Sequence, residues 1–147
     1  MTSGPSIKIK QVDGYKFTVD FGQLLPELLA DEPEPIGTGE GPSPEQLLVA
    51  SVANCLCASL VFALGKYKQE GGGVQAEASC RVERNEERRL RIQNINVEIS
   101  LGASAVDLQR IDQVLAQFER FCTVSESVKA GIPITVSVHD GQGQQVK

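Results

Sequence analysis

Residues 43–66 read Ser-Pro-Glu-Gln-Leu-Leu-Val-Ala-Ser-Val-Ala-Asn-Cys-Leu-Cys-Ala-Ser-Leu-Val-Phe-Ala-Leu-Gly-Lys, and the fold turns on that stretch. Its opening carries several agreeing helix-start signals. Ser43 stands at the N-cap and Pro44 at the first helical position, where a missing N–H costs nothing. Gln46 completes a capping box, and Glu45 faces the positive end of the helix dipole. The helix is expected to run to about Gln69, where Gly71, Gly72 and Gly73 stop it. From Leu47 to Leu64 it is apolar nearly all round, the pattern of a helix buried on every side. One chain covering only one side would leave much of it bare, so a second subunit's helix is the expected cover.

Downstream, Val74, Ala76, Ala78, Cys80 and Val82 alternate with polar residues, giving a strand with one buried face. Leu90 and Ile92 are followed by Ile95, Val97, Ile99 and Leu101, so the alternation slips by one, and a bulge near Gln93 and Asn94 accounts for the slip. Ala105 to Phe121 carries apolar residues at helical spacing, with Ser104 as its expected cap, and Thr123 to Ala130, closed by Gly131, fits a short helix. Ile132, Ile134, Val136 and Val138 predict a last strand, and the polar tail 141–147 is expected to fray.

Upstream, Ile7 to Lys10 and Tyr15 to Asp20 flank Asp13-Gly14, a strong hairpin signal. Residues 21–43 hold four prolines and several glycines, with a possible helical turn at Glu27 to Ala30. A loop of that length is usually functional or disordered. Strands, helix, two strands, helix, strand make an α+β protein rather than α/β, expected as one domain over residues 1–147.

The formal net charge is −5, and the one basic cluster is Arg88, Arg89 and Arg91. That balance argues against nucleic acid or an anionic membrane as partner. Met1 to Lys10 has no apolar run following its charges, and no stretch is read as reaching the roughly 20 apolar residues that span a bilayer. The expected location is the cytoplasm, where Cys55, Cys57, Cys80 and Cys122 stand as thiols rather than a disulfide framework.

Cys55 and Cys57 lie two apart on one helix, about 200° around its axis, so only one can face a given site. Their spacing does not match a zinc ribbon and the lone histidine, His139, is remote in sequence, so no metal or other cofactor is expected. Cys80 falls on the apolar phase of its strand and Cys57 among Leu56, Ala58 and Leu60, so both read as packing residues. Cys122 lies between two helices, where free N–H groups and the dipole favour a thiolate, although Thr123 or Ser125 offers an alternative cap. Burial in mid-helix works against Cys55. Periodicity alone does not identify the nucleophile.

Residues 41–56, from Gly41-Pro42-Ser43-Pro44-Glu45 to Asn54-Cys55-Leu56, resemble the central-helix signature of the OsmC/Ohr family of organic-hydroperoxide-reducing proteins. Phe121-Cys122-Thr123-Val124-Ser125-Glu126-Ser127-Val128, followed by Gly131-Ile132, resembles that family's second cysteine motif. The resemblance implies antiparallel sheets around a long buried central helix in an intertwined homodimer. It implies a thiol-dependent peroxidase in which Cys55 attacks an organic hydroperoxide and becomes a sulfenic acid. Cys122 then resolves it as a Cys55–Cys122 disulfide, and a dithiol of lipoyl type restores the thiols. Glu45 matches the family's site glutamate. It lies ten residues before Cys55, about 15 Å along a helix, so the two meet more readily across subunits. Two departures stand out. One branch of the family pairs that glutamate and thiolate with an N-terminal arginine, whereas the first arginine here is Arg81, and Thr123 replaces a usual proline. Lysine lacks arginine's planar fork, which favours the broader OsmC-like branch. The alternative on the same fold is a small-molecule-binding or redox-sensing protein without turnover.

Overall fold

The computed structural model describes residues 3–147; Met1 and Thr2, the start of the segment read for a signal sequence, lie outside it. Strand β1 (Lys8–Asp13) and strand β2 (Lys16–Asp20) form the expected hairpin, with Gly14 at φ +54° in its turn. Strand β3 (Leu28–Ala30) pairs antiparallel with the other edge of β2, Phe17 opposite Ala30. The helical turn expected at Glu27 to Ala30 is therefore a strand. A single turn leaves its backbone groups unpaired, whereas the edge of β2 supplies partners.

The rest of the proline-rich loop is pinned by Asp31, which is 1% exposed. Its carboxylate accepts hydrogen bonds from the Thr38 hydroxyl (2.7 Å) and from the backbone N–H groups of Glu32, Thr38 and Glu40 (2.8, 3.2 and 3.1 Å). The Thr38 hydroxyl, helped by those amides and opposed by burial, holds the Asp31 pKa down at about 2. Lys16 reaches from β2 to Glu40 at 2.5 Å. The loop thus delivers Ser43 in a fixed position to helix α1 (Pro44–Lys66), where the capping box forms as expected. Gln46 N–H donates to Ser43 Oγ at 3.2 Å, and Ser43 N–H donates to Gln46 Oε1 at 2.9 Å.

Strand β4 (Val74–Arg84) and strand β5 (Leu90–Leu101) form a long antiparallel pair. Arg81 faces Asn94 and Val82 faces Ile92, so Gln93 is the extra residue of the expected bulge. At the far end Gly102 lies against the backbone of Gly72, so close that a Cβ on Gly102 would overlap the Gly72 carbonyl.

The amphipathic helix expected over Ala105 to Phe121 is broken into a 3-10 turn at Ala105–Asp107, helix α2 (Ile111–Gln117) and a second 3-10 turn at Phe118–Phe121. The cause is local. The Gln69 side chain bonds both the N–H and the carbonyl of Gln109, replacing helical bonds there, and Arg110 takes a left-handed φ of +56°. Ser104 makes no side-chain cap bond. Helix α3 (Thr123–Ala130) forms as expected and ends at Gly131 with φ +73°.

Residues 132–138 do not form the expected strand, because this chain offers them no neighbouring strand. Their alternating side chains are open, Ile134 being 85% exposed. The tail, expected to fray, turns back instead, with Val146 N–H on the Val138 carbonyl at 2.8 Å.

The core is Leu60, Ala63 and Leu64 of α1 with Val114 of α2, flanked by Tyr67, Ile99, Leu101, Ile111 and Phe118. Burial of α1 on every side is not met within one chain. Val61 and Phe62 are 56% and 58% exposed. Contrary to the sequence reading, α1 at 23 residues is long and apolar enough to cross a bilayer. In this fold its apolar character serves packing, since it lies against β4, β5, α2 and α3.

Candidate active site

Cys55 lies in the middle of α1, half-buried, and Cys122 lies at the N-cap of α3, fully buried. The packing of α1 on the segment before α3 brings them together. Phe62 and Phe121 stack edge-to-face at 6.2 Å, and the Lys66 ammonium sits 5.0 and 4.0 Å from their ring centres. That clamp sets the residue preceding Cys122 against α1. The two thiols are near enough for each to shift the other's ionisation.

The α3 cap is Cys122 itself rather than Thr123 or Ser125. Its sulfur accepts the Ser125 N–H at 3.4 Å, taking up one of the free amides of the helix start. The two thiols are driven apart electrostatically. Burial pushes Cys55 up, and the neighbouring Cys122 thiol pushes it further, only partly offset by the amides of Val124 and Ser125. At Cys122, burial is the largest single influence and also pushes up. It is outweighed by the nearby Cys55 thiol, the Ser125 hydroxyl and amide and the Ser59 hydroxyl, so the Cys122 thiol falls below the ordinary cysteine value. One negative charge, shared unevenly and resting mainly on Cys122, is the favoured ionised state of the pair. The groups acting most strongly on the thiols are hydroxyls, amides and each other, with no cation among them.

Ser59 and the Ser125 hydroxyl were not singled out as site groups by the sequence reading. Ser59 is one helical turn beyond Cys55, a spacing that puts both on one face of α1. The Ser125 hydroxyl is near enough to bear on Cys122, yet its geometry falls short of a hydrogen bond and Oγ is left without a partner. Glu45 is placed in the first turn of α1, about 15 Å along the axis from Cys55, so a single chain does not bring it to the thiols. Cys57 and Cys80 are half-buried, and Cys80 pairs across the sheet with Ile95.

The family model described as OsmC-like protein matches residues 37–137, a span that contains α1, both cysteines of the pair and α3. The chain belongs to the OsmC-like protein family. Its fold is that of several solved structures. An OsmC-like protein from Mycoplasma pneumoniae superposes with a TM-score of 0.70 at 16% identity, covering 90% of this chain and 91% of that one. An OsmC-like protein of unknown function from Vibrio cholerae gives 0.68 at 17% identity, with 87% and 95% covered. The organic hydroperoxide resistance protein OhrB of Bacillus subtilis gives 0.65 at 17% identity, with 88% and 93% covered. No curated protein sequence matches the chain. As an OsmC-like chain it has the α+β architecture that its two cysteine motifs implied.

Proposed function

We propose that this protein is a thiol-dependent reductase of organic hydroperoxides. The observation that carries the reading is the pair of free thiols that act on each other's ionisation where α1 meets the start of α3, Cys55 partly exposed and Cys122 buried on the Ser125 amide. The partly exposed thiol, Cys55, attacks the terminal, hydrogen-bearing oxygen of R–O–O–H. The O–O bond breaks, and the Cys55 proton passes to the Cys122 thiolate and on to the departing alkoxide, which leaves as R–OH. Cys55 is now a sulfenic acid, two electrons oxidised. The Cys122 thiolate attacks its sulfur, the S–S bond forms, and hydroxide leaves to be protonated by solvent. A dithiol reductant, lipoyl-type by family analogy, restores both thiols by exchange. The apolar surroundings of Cys55 favour an organic peroxide over hydrogen peroxide, and the chemistry calls for a reducing compartment, the cytoplasm. The test is consumption of cumene hydroperoxide, tert-butyl hydroperoxide and hydrogen peroxide by the reduced protein with a dithiol present. Turnover that prefers the organic peroxides is expected, and a rate no higher than the dithiol alone would sink the reading.

The working form is read as a homodimer. What supports this is the apolar surface one chain leaves bare on α1, together with the unpartnered alternation of residues 132–138. In such a dimer the Glu45 that serves Cys55 is read as the second copy's, because within one helix the two lie about 15 Å apart. Val61→Asp, placing a charge on that bare face, is expected to convert a dimer to monomer in light scattering. An unchanged mass, or a wild type that is already monomeric, would rule this arrangement out.

A further inference from the structure

The sulfur that caps α3 is also one that oxidation would consume. α3 spans eight residues, a length that is marginal for a helix without outside support. Cys122 holds its first turn, its carbonyl accepting the Glu126 N–H at 3.0 Å and its sulfur the Ser125 N–H at 3.4 Å. No capping box shares that task, because Ser125 stands where a Glu or Gln would close one. Lys129 ties α3 to Glu119 at 3.2 Å, but both side chains are exposed and such a bridge is worth little. Beyond Gly131 the chain has no strand neighbour to anchor the helix from its other end.

Two polar groups of Ser125 depend on the thiols. Its N–H donates to the Cys122 sulfur, while its hydroxyl, in a residue only 4% exposed, has no hydrogen bond of its own and bears on the same sulfur. In the reduced pair a negative charge on that sulfur sits beside both donors and at the positive end of α3. Oxidation removes the charge. Two thiols give up two protons and two electrons to a hydroperoxide, whose O–O bond breaks to yield R–OH and water, and the sulfurs become a neutral disulfide. A neutral sulfur is a far weaker acceptor than a thiolate. Ser125 is then left with a buried N–H and a buried hydroxyl that lack a strong acceptor, each costly in a folded interior. Water satisfies both only where the first turn of α3 loosens.

We propose that the start of α3 is a redox-sensitive switch, capped by the Cys122 sulfur in the dithiol form and open at Val124 and Ser125 in the disulfide form. It rests on the peroxidase reading for its oxidant and deepens that reading by adding a regulation of the same site. Cys122 is 0% exposed in the reduced protein, so the opening admits a dithiol to that end of the disulfide only once there is a disulfide to reduce. Reduction returns two electrons and two protons, the dithiol departs as its own disulfide, and the cap re-forms.

The test compares the full-length dithiol protein with the same protein oxidised by diamide, an azo compound that takes the two electrons and two protons in place of a peroxide. Peptide mapping without reductant checks the Cys55–Cys122 link, and backbone hydrogen exchange is followed by NMR. Exchange at Val124 and Ser125 is expected to quicken roughly 2- to 30-fold in the disulfide form, the worth of a helix cap, while the core amides of Leu60 and Leu64 change little. Reduced Cys122→Ala, which removes the sulfur without adding a cross-link, is expected to quicken the same two amides. Reduced Cys122→Ser, whose hydroxyl is a good N-cap, is expected to keep them slow. Should Cys122→Ala fail to fold by circular dichroism, the wild-type pair decides alone. Equal or slower exchange in the disulfide form, as where the cross-link holds α3 tighter than the cap did, would overturn the proposal. So would unchanged exchange in Cys122→Ala, equal quickening in the Ala and Ser variants, or a failure of diamide to link Cys55 to Cys122. Peroxide consumption run in parallel separates the two ideas. An exchange response without turnover removes the peroxidase and keeps the switch, and turnover without an exchange response does the reverse.

Discussion

Cys55→Ser is expected to abolish catalytic consumption of cumene hydroperoxide, and Cys122→Ser is expected to leave a single stoichiometric turnover that halts at a Cys55 sulfenic acid. The asymmetry follows from placement. Cys55 is the partly exposed cysteine of the pair and Cys122 the fully buried one, so a peroxide meets Cys55 first and the disulfide can form only afterwards. A serine hydroxyl at position 55 is not ionised near neutral pH and is a far weaker nucleophile than a thiol. Rapid mixing with an organic peroxide, followed by dimedone trapping and mass spectrometry, distinguishes the two variants. Dimedone labelling of Cys55 in Cys122→Ser and its absence in Cys55→Ser is the expected pair of results. Labelling of Cys122 in Cys55→Ser, with turnover retained, would reverse the roles.

The same pair predicts the pH dependence. Cys122 lies below the ordinary cysteine value and Cys55 above it, so the first proton leaves the pair at a lower pH than a free thiol would release it. Turnover is therefore expected to rise with pH through a midpoint below the ordinary cysteine value and then level off. Cys55→Ala removes the thiol that favours the charge on Cys122 and is expected to move the thiolate absorbance of Cys122 to higher pH. No movement would mean that the amides alone hold the charge.

The parts of this structure legible in the sequence are those specified by neighbours in the chain. The Ser43-Pro44-Glu45-Gln46 start of α1, the slip at Gln93 and the Gly131 stop each depend on a few consecutive residues, and each forms as read. What was misread depends on distant partners. Residues 28–30 are a strand because β2 lies beside them, and residues 105–121 are broken because Gln69, some forty positions earlier, takes the backbone of Gln109. Residues 132–138 have a strand's alternation but no strand to pair with. At the site, spacing could mark Cys55 and Cys122 as candidates. That the cap on α3 is the Cys122 sulfur, and that Ser59 joins it, depends on how α1 crosses the start of α3, which periodicity does not encode.

Leu64→Ala is expected to be the most destabilising single truncation in this chain. Leu64 is 1% exposed and belongs to the cluster with Leu60, Ala63 and Val114 that ties α1 to α2. Loss of its buried branch removes its transfer free energy and leaves a cavity that a close-packed helix pair cannot collapse, about 2–5 kcal/mol in total. At this chain length that corresponds to a fall in Tm of very roughly 5–15 °C. The position of α1 also sets the thiol pair, because Cys55 and Ser59 reach Cys122 only while α1 keeps its place against the segment that precedes α3. Loosened packing at Leu64 is therefore expected to raise the Cys122 thiol toward the ordinary value at temperatures where the protein is still folded. Leu24→Ala serves as the contrast, since that side chain is fully exposed, and surface changes of this kind usually stay within about 0.5 kcal/mol. Thermal melts of both variants, with thiolate absorbance followed below the transition, test the two effects together. A normal Cys122 titration in a Leu64→Ala protein with a lowered Tm would show that the pair is held by α3 alone, not by the register of α1.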